Sequence, residues 1–322
     1  MKTQKSVSVP CLAKLNLDLR VLHKRSDGFH EVRTVYQTIS LEDTLEIQFR
    51  PSKSIEIELD SSVEIDDNIV LKAARAVLEY MDFNAAVRFK LNKAIPMGAG
   101  LGGGSSNGAA VLMALPALAR RRLEIGELQR LASWLGSDVP FFLYGGTALG
   151  LGRGTELYPL TDLPPHTGIV VSSGIHVSTA QAYQDLGRPL LEEAVLHDVS
   201  DSLTSPDGSP ILGEFQAVAW SIDRRPLDQV PLRNDFEPVV FSRHAELAGL
   251  LNKLEKSGAN PARMTGSGSA MFGIFPDAEH AETTGQQFPG AVPFRFVGRR
   301  EYRKRWTDAL GSLASYSPTC EI

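Results

Sequence analysis

Between Pro96 and Ala110 the chain reads PMGAGLGGGSSNGAA, six glycines and two serines running into an Ala-rich apolar segment. The chemistry such a loop serves is anion binding. Glycine lets backbone N–H groups turn toward a ligand and approach it closely, and the free N–H groups that open a following helix favour negative charge. Phosphate is the natural anion. No Gly-Lys-Ser/Thr follows the spacer, so this is not a P-loop and carries no lysine of its own. Catalytic charge has to come from elsewhere. SVPCLAKLNLDL sets Lys14 and Asn16 on one face of an alternating stretch. Asp138 stands in LGSDVPFF, and His30 follows Phe29 in SDGFHEV. MTGSGSAMFGIF, starting at Met264, runs two glycines and two serines into an apolar strand. Each has a plainer reading: a solvated strand face, a helix N-cap at Asp138, a turn residue at His30, an ordinary turn.

The elements that must position these residues follow from periodicity. Val7, Val9, Cys11, Ala13, Leu15, Leu17, Leu19 and Val21 alternate onto one face, with Lys14, Asn16, Asp18 and Arg20 on the other, which predicts a half-buried strand. Further strands are expected at 32–39, 44–49, 54–59 and 86–91. Asp66 and Asp67 read as a cap before the helical pattern Ile69, Val70, Ala73, Ala74, Val77, Leu78, Met81. After the glycine loop, Ser105 or Ser106 is expected to cap a helix that Pro116 kinks or ends. Another helix is expected at 127–135, and the glycine-rich 144–154 returns to the sheet. A second unit begins near Leu160, with strands at 168–172, 270–275 and 293–297, helices at 179–186, 210–222 and 238–257, and an exposed loop at 198–209. No role is evident for the tail after Lys304. The alternation of strands and helices indicates an α+β fold, divided into units 1–159 and 160–322.

Composition sets the boundaries of function. The 322 residues are 43% hydrophobic and 22% charged, as in a globular protein. A net charge of −5 gives no general attraction to nucleic acid or an anionic membrane. The two cysteines, Cys11 and Cys320, suggest neither a disulfide framework nor a metal site. The N-terminus lacks an apolar signal core and no run approaches about 18 apolar residues, so a cytoplasmic protein is expected.

Taken together, the segments AKLNLDLRVLHKRSDGFHEV, DDNIVLKAA, PMGAGLGGGSSN, LGSDVPFF, NDFEPVV and MTGSGSAMF resemble the GHMP kinase superfamily. Within it they are similar to the branch acting on 4-diphosphocytidyl-2-C-methyl-D-erythritol. The resemblance spans Ala13 to Phe272. It implies a two-domain GHMP kinase fold, with a ribosomal-S5-like N-terminal domain and a ferredoxin-like C-terminal domain around an active-site cleft. It implies transfer of the ATP γ-phosphoryl group, with Mg²⁺ arriving on the nucleotide, to the 2-hydroxyl of that small-molecule substrate in the non-mevalonate route to isoprenoid precursors.

The same resemblance assigns roles. Asp138 is the general base and Lys14 the charge beside it and the reacting oxygen. Pro96, Met97, Gly98, Ala99, Gly100, Leu101, Gly102, Gly103, Gly104, Ser105 and Ser106 wrap the ATP phosphates, and Asn68 touches adenine. Asn16 orients the methylerythritol part. Phe29 and Tyr183 sandwich the cytosine, His30 reads its edge, and Thr179 lies one helical turn before Tyr183. Phe29 departs from the branch's usual DGYH and lacks the hydroxyl. No metal ligand in the protein is indicated and the oligomeric state is open.

Other readings stand beside this one. Gly98-x-Gly100-x-x-Gly103, with Glu124 about 20 residues on, fits a dinucleotide fingerprint. The preceding strand alternates apolar with Arg and Lys, however, where a central parallel strand is apolar on both faces. An RNA-binding protein of S5-like fold would need clustered Lys and Arg, and Arg120, Arg121 and Arg122 are one short cluster. A sibling kinase acting on another alcohol is the third.

Overall fold

The computed structural model describes residues 4–190, 210–222 and 224–317. The expected loop at 198–209 and Cys320 lie outside the described residues. The first unit is built on two long antiparallel strands, β1 (Lys5–Lys24) and β2 (His30–Pro51). β3 (Glu56–Ser61), β4 (Ala85–Asn92), β5 (Thr147–Leu151) and β6 (Glu156–Pro159) complete a six-stranded sheet in the order β3-β4-β2-β5-β6, with β1 on β2. Within this sheet β3 and β4 form the parallel pair. The helices α1 (Ile69–Tyr80), α2 (Gly103–Ala119) and α3 (Ile125–Leu135) join this unit, with a 3₁₀ turn at Val139–Leu143.

The second unit is a four-stranded antiparallel sheet. It uses β7 (Thr167–Val171), β8 (Ala262–Met264), β9 (Met271–Phe275) and β10 (Ala291–Arg295) in the order β10-β7-β9-β8. Its helices are α4 (Thr179–Leu186), α5 (Pro210–Ser221), α6 (Glu237–Arg243), α7 (Ala245–Lys256) and α8 (Ala278–Gly285). α9 (Arg299–Leu310) and a 3₁₀ turn at Gly311–Tyr316 follow β10. The α+β class agrees with expectation.

Several local expectations are corrected. The strands expected at 32–39 and 44–49 are one strand, β2, because Ser40 and Leu41 are absorbed as extra residues at a register shift opposite Leu12 and Ala13. That shift also splits the apolar face of β1. Val9, Cys11 and Leu12 join the core under α1 and α2, whereas Ala13, Leu15 and Leu17 join the core between the two sheets. The opposite face is not solvated: Lys14, Asn16, Asp18 and Arg20 are all buried. The second unit covers Asn16, Asp18 and Arg20 through Thr265, Arg233 and Pro231, whereas Lys14 is enclosed by the glycine loop, Tyr36 and Asp138 of the first unit. Arg20 pairs with Asp18 at 2.9 Å, and Asp18 accepts the Arg233 amide at 2.7 Å.

Asn68, not Asp66 or Asp67, caps α1 through a bond from the Val70 amide at 3.0 Å. Gly102 is the cap of α2, in the left-handed region, so Ser105 and Ser106 sit inside its first turn. Pro116 is accommodated and the helix stops at Ala119. The helix expected at 238–257 breaks at His244 into α6 and α7. A cut of the chain at residue 160 does not separate the cores. Tyr302, Trp306, Leu310 and Ala314 pack into the first unit beside Leu12 and Phe142, which gives the tail a structural role.

Candidate active site

The glycine loop is held at its crest by backbone bonds from both units. The Lys14 amide of β1 donates to Leu101 O at 2.9 Å, and the Ala270 amide donates to Ala99 O at 3.3 Å. The Thr265 hydroxyl reaches Gly100 O at 3.4 Å and accepts the Asn16 amide at 3.0 Å. Two glycines are required by this crossing. At Gly100, φ is +78° and an added Cβ would lie 2.2 Å from Thr265 O. At Gly102, φ is +71° and a Cβ would meet Phe142 at 2.9 Å and Lys14 Cγ at 3.0 Å. The turn after Met264 is fixed in its own right by Asn234, whose amide donates to Met264 O and Gly266 O, both at 2.8 Å. That is the work of NDFEPVV in the fold.

Lys14 and Asp138 meet beside this crossing. The ammonium lies 3.3 Å from Asp138 Oδ2 and donates to Asn16 Oδ1 at 2.5 Å. Asn16 passes the chain of bonds on to the Thr34 hydroxyl at 2.7 Å. Asp138 occupies the N-cap position of the 3₁₀ turn, yet its side chain accepts no cap hydrogen bond. Its other oxygen accepts the Tyr36 hydroxyl at 3.0 Å. Burial and the adjacent carboxylate push the Tyr36 phenol well above its ordinary range, so it stays a donor. Lys14 is 2% exposed and Asp138 32%, so a hidden cation faces a carboxylate that solvent or a ligand reaches. The solvated-strand reading of Lys14 and the capping reading of Asp138 both fail on this geometry.

Two cavities share the glycine loop as their wall. The larger, about 1090 Å³, is lined by Lys14, Asn16, Phe29, His30, Asp138, Thr179 and Tyr183 among others. The smaller, about 430 Å³, is lined by Asn68 and by residues 96–105. Gly98, Gly100 and Ser105 line both. The Asn68 Nδ2 is buried with no partner, a donor left over once Oδ1 has capped α1. Ser106 is buried and lines neither cavity.

At the far end of the larger cavity the Tyr183 ring is stacked not on open space but on His30, with centroids 4.6 Å apart and planes 20° apart. Burial, then Lys24, Arg188 and His23, lowers the His30 pKa. Burial also raises the Tyr183 phenol to about 12. Thr179 exchanges a hydrogen bond with Ser267 at 2.8 Å, tying α4 to the turn after Met264. Phe29 is 46% exposed.

Sequence reasoning missed Tyr36, Thr34, Thr265 and Lys93. Lys93 is drawn to the start of α2 by Asp43 and by Asn107 at 3.2 Å. Tyr36 was legible only through register, since it pairs with Asn16 across β1 and β2. Among the described residues no cluster of three or more His, Cys, Asp or Glu forms a metal site, and no helix is long and apolar enough to cross a membrane.

A glycine loop opening a helix, a Lys–carboxylate pair beside it and a second sheet closing over both define a phosphotransferase of the GHMP type. The GHMP kinases N terminal domain family model matches residues 68–146, and the GHMP kinases C terminal model matches 225–292. The 4-diphosphocytidyl-2-C-methyl-D-erythritol kinase of Solibacter usitatus is 47% identical over 96% of this chain and 95% of its own length. The enzyme of the same name from Syntrophus aciditrophicus is 36% identical over 84% of this chain and 90% of its own. A crystal structure of 4-(cytidine 5'-diphospho)-2C-methyl-D-erythritol kinase superposes with a TM-score of 0.71 at 32% identity, over 90% of this chain and 99% of that one. A homoserine kinase from Cytophaga hutchinsonii, at 18% identity and a TM-score of 0.63, shares the fold. This chain belongs to the 4-diphosphocytidyl-2-C-methyl-D-erythritol kinase family of the GHMP kinases.

Proposed function

We propose that the chain transfers the γ-phosphoryl group of ATP to the 2-hydroxyl of 4-diphosphocytidyl-2-C-methyl-D-erythritol. The observation that carries this reading is the Lys14–Asp138 pair at the junction of two cavities that share one glycine loop. The smaller cavity suits ATP. The unpartnered Asn68 Nδ2 offers a donor to adenine, and the opening amides of α2 face phosphate oxygens. The larger cavity suits the alcohol, its cytidine end toward Phe29, His30 and Tyr183 and its tetritol end toward Asn16.

Phosphoryl transfer needs positioning and charge stabilisation more than covalent chemistry. Asp138 accepts the hydroxyl proton. Tyr36, holding one carboxylate oxygen, and Lys14, facing the other, fix the orientation in which it does so. Lys14 also offsets the charge that gathers on the alkoxide and on the moving phosphoryl group. The residues present fit a Mg²⁺ ion that would come with the nucleotide: Ser105 and the partly exposed Asp138 carboxylate both line the larger cavity and would supply oxygen donors. Such an ion is held chiefly by phosphate oxygens and water, and it supplies charge neutralisation on the phosphates. This reading sets the reaction in the cytoplasm, where ATP is available.

Incubation of the purified chain with Mg-ATP and a panel of alcohols, following ADP release and product mass, tests the proposal. Phosphorylation of the cytidylyl substrate alone is the expected result. Turnover of homoserine or mevalonate instead would assign it to a sibling kinase.

A further inference from the structure

The turn between β5 and β6 carries Arg153, flanked by Gly152 and Gly154, both in the left-handed region at +67° and +87°. Its seating is tight. The Val32 amide donates to Gly152 O at 2.7 Å, and a Cβ at Gly154 would lie 2.5 Å from the Tyr36 hydroxyl. The turn therefore rests directly on the residue that orients Asp138. From it the Arg153 guanidinium extends over the Phe29 ring, with Cζ 3.5 Å from the centroid. Arg153 lines the larger cavity, makes no ion pair with a described residue, and its Nε is buried with no hydrogen-bond partner. A buried donor without a partner is costly and calls for an acceptor that the protein itself does not supply.

Phe29 explains why a cation is wanted there. It sits on a hairpin turn, 46% exposed, where an aromatic ring alone has rotamer freedom to lose on binding. A guanidinium on one face pins it by stacking and by attraction to the ring quadrupole. The other face is then preset for a planar ligand, and ordering the ring in advance removes part of the cost of binding.

The geometry points to Arg153 as a positioning and specificity residue for the nucleobase end of the substrate, acting through Phe29 as the second layer of a stacking platform. The inference rests on the function proposed above. Its test uses CMP binding by calorimetry and steady-state kinetics on the whole enzyme. Arg153→Met should weaken CMP and raise KM for the cytidylyl substrate by roughly 3- to 10-fold, with kcat and the KM for ATP unchanged. Arg153→Lys, which keeps the charge but not the planar fork, should recover little. In a Phe29→Leu background, Arg153→Met should cost less than about twofold more, because the platform is already gone. Full recovery by lysine, equal loss in the Phe29→Leu background, or no loss at all would each overturn the inference. Wild-type enzyme that binds no CMP would instead remove the functional reading beneath it.

Discussion

Asp138 has two partners, Tyr36 and Lys14, and neither is an amide of the turn it precedes. Asp138→Asn should therefore leave folding almost unchanged while kcat falls by roughly 10²–10⁴-fold, the usual worth of a general base. Near-normal turnover of the purified variant would remove Asp138 from the mechanism. Tyr36→Phe keeps the ring and deletes one hydrogen bond to the carboxylate. A loss of about tenfold in kcat is expected, with both KM values nearly constant. His30 gives the site a pH signature. Burial and the cations Lys24 and Arg188 favour its neutral form, so it takes up a proton only below the usual histidine range near about pH 6.5. The KM for the cytidylyl substrate should be flat through neutrality and rise on acidification below that range, in step with the His30 ring resonances followed by NMR. A rise already at pH 7.5 would contradict this. Lys14, Asp138 and His30 were visible as residue types in distinctive segments. Tyr36 was not, because an aromatic in an alternating strand looks like core until its strand partner is known.

At the scale of elements, the start of α2 separates packing from function. Nothing lies within 4 Å of a Cβ built on Gly104, which sits in the first helical turn. Gly104→Ala should stabilise the fold by about 0.4–1 kcal/mol through the unfolded chain. If phosphate approaches this backbone closely, the same change raises the KM for ATP several-fold. Urea unfolding and kinetics on one preparation read both, and a variant with unchanged ATP affinity would move the phosphates away from Gly104. On the other side of the site, Tyr183→Ala opens the face of His30 and removes a ring that also meets Phe236 edge-on at 4.8 Å. A rise of roughly 3- to 10-fold in the KM for the cytidylyl substrate is expected, through the loss of the ring that orders His30, with ATP little affected. The single apolar face expected of β1 is divided between two cores by the register shift at Leu12 and Ala13, whereas the helical period that announced α1 was read correctly because it holds throughout Ile69–Tyr80. The bulged joint of β2 and the break at His244 were not, since each depends on what packs against it.

At the scale of the molecule, α9 closes the first core although the whole second sheet precedes it in the chain. Trp306 is 1% exposed and packs in the cluster that holds Phe142 and Leu12. Trp306→Ala should cost about 3–5 kcal/mol, read as a lowered urea midpoint, with activity per folded molecule preserved. A neutral result would mean that the tail is dispensable. The class and its chemistry were legible along the chain through the resemblance that four segments carry jointly: a glycine loop without a lysine, a lysine strand, an aspartate before Val-Pro and a second glycine turn. Tertiary structure alone decided that both faces of β1 are buried, that Tyr36 and Thr265 join the site, that His30 rather than empty space lies against Tyr183, and that the tail belongs to the first unit. The physical reason is the same in each case. Local periodicity reports which way a side chain points, but burial and partnership depend on which distant segment comes to cover it.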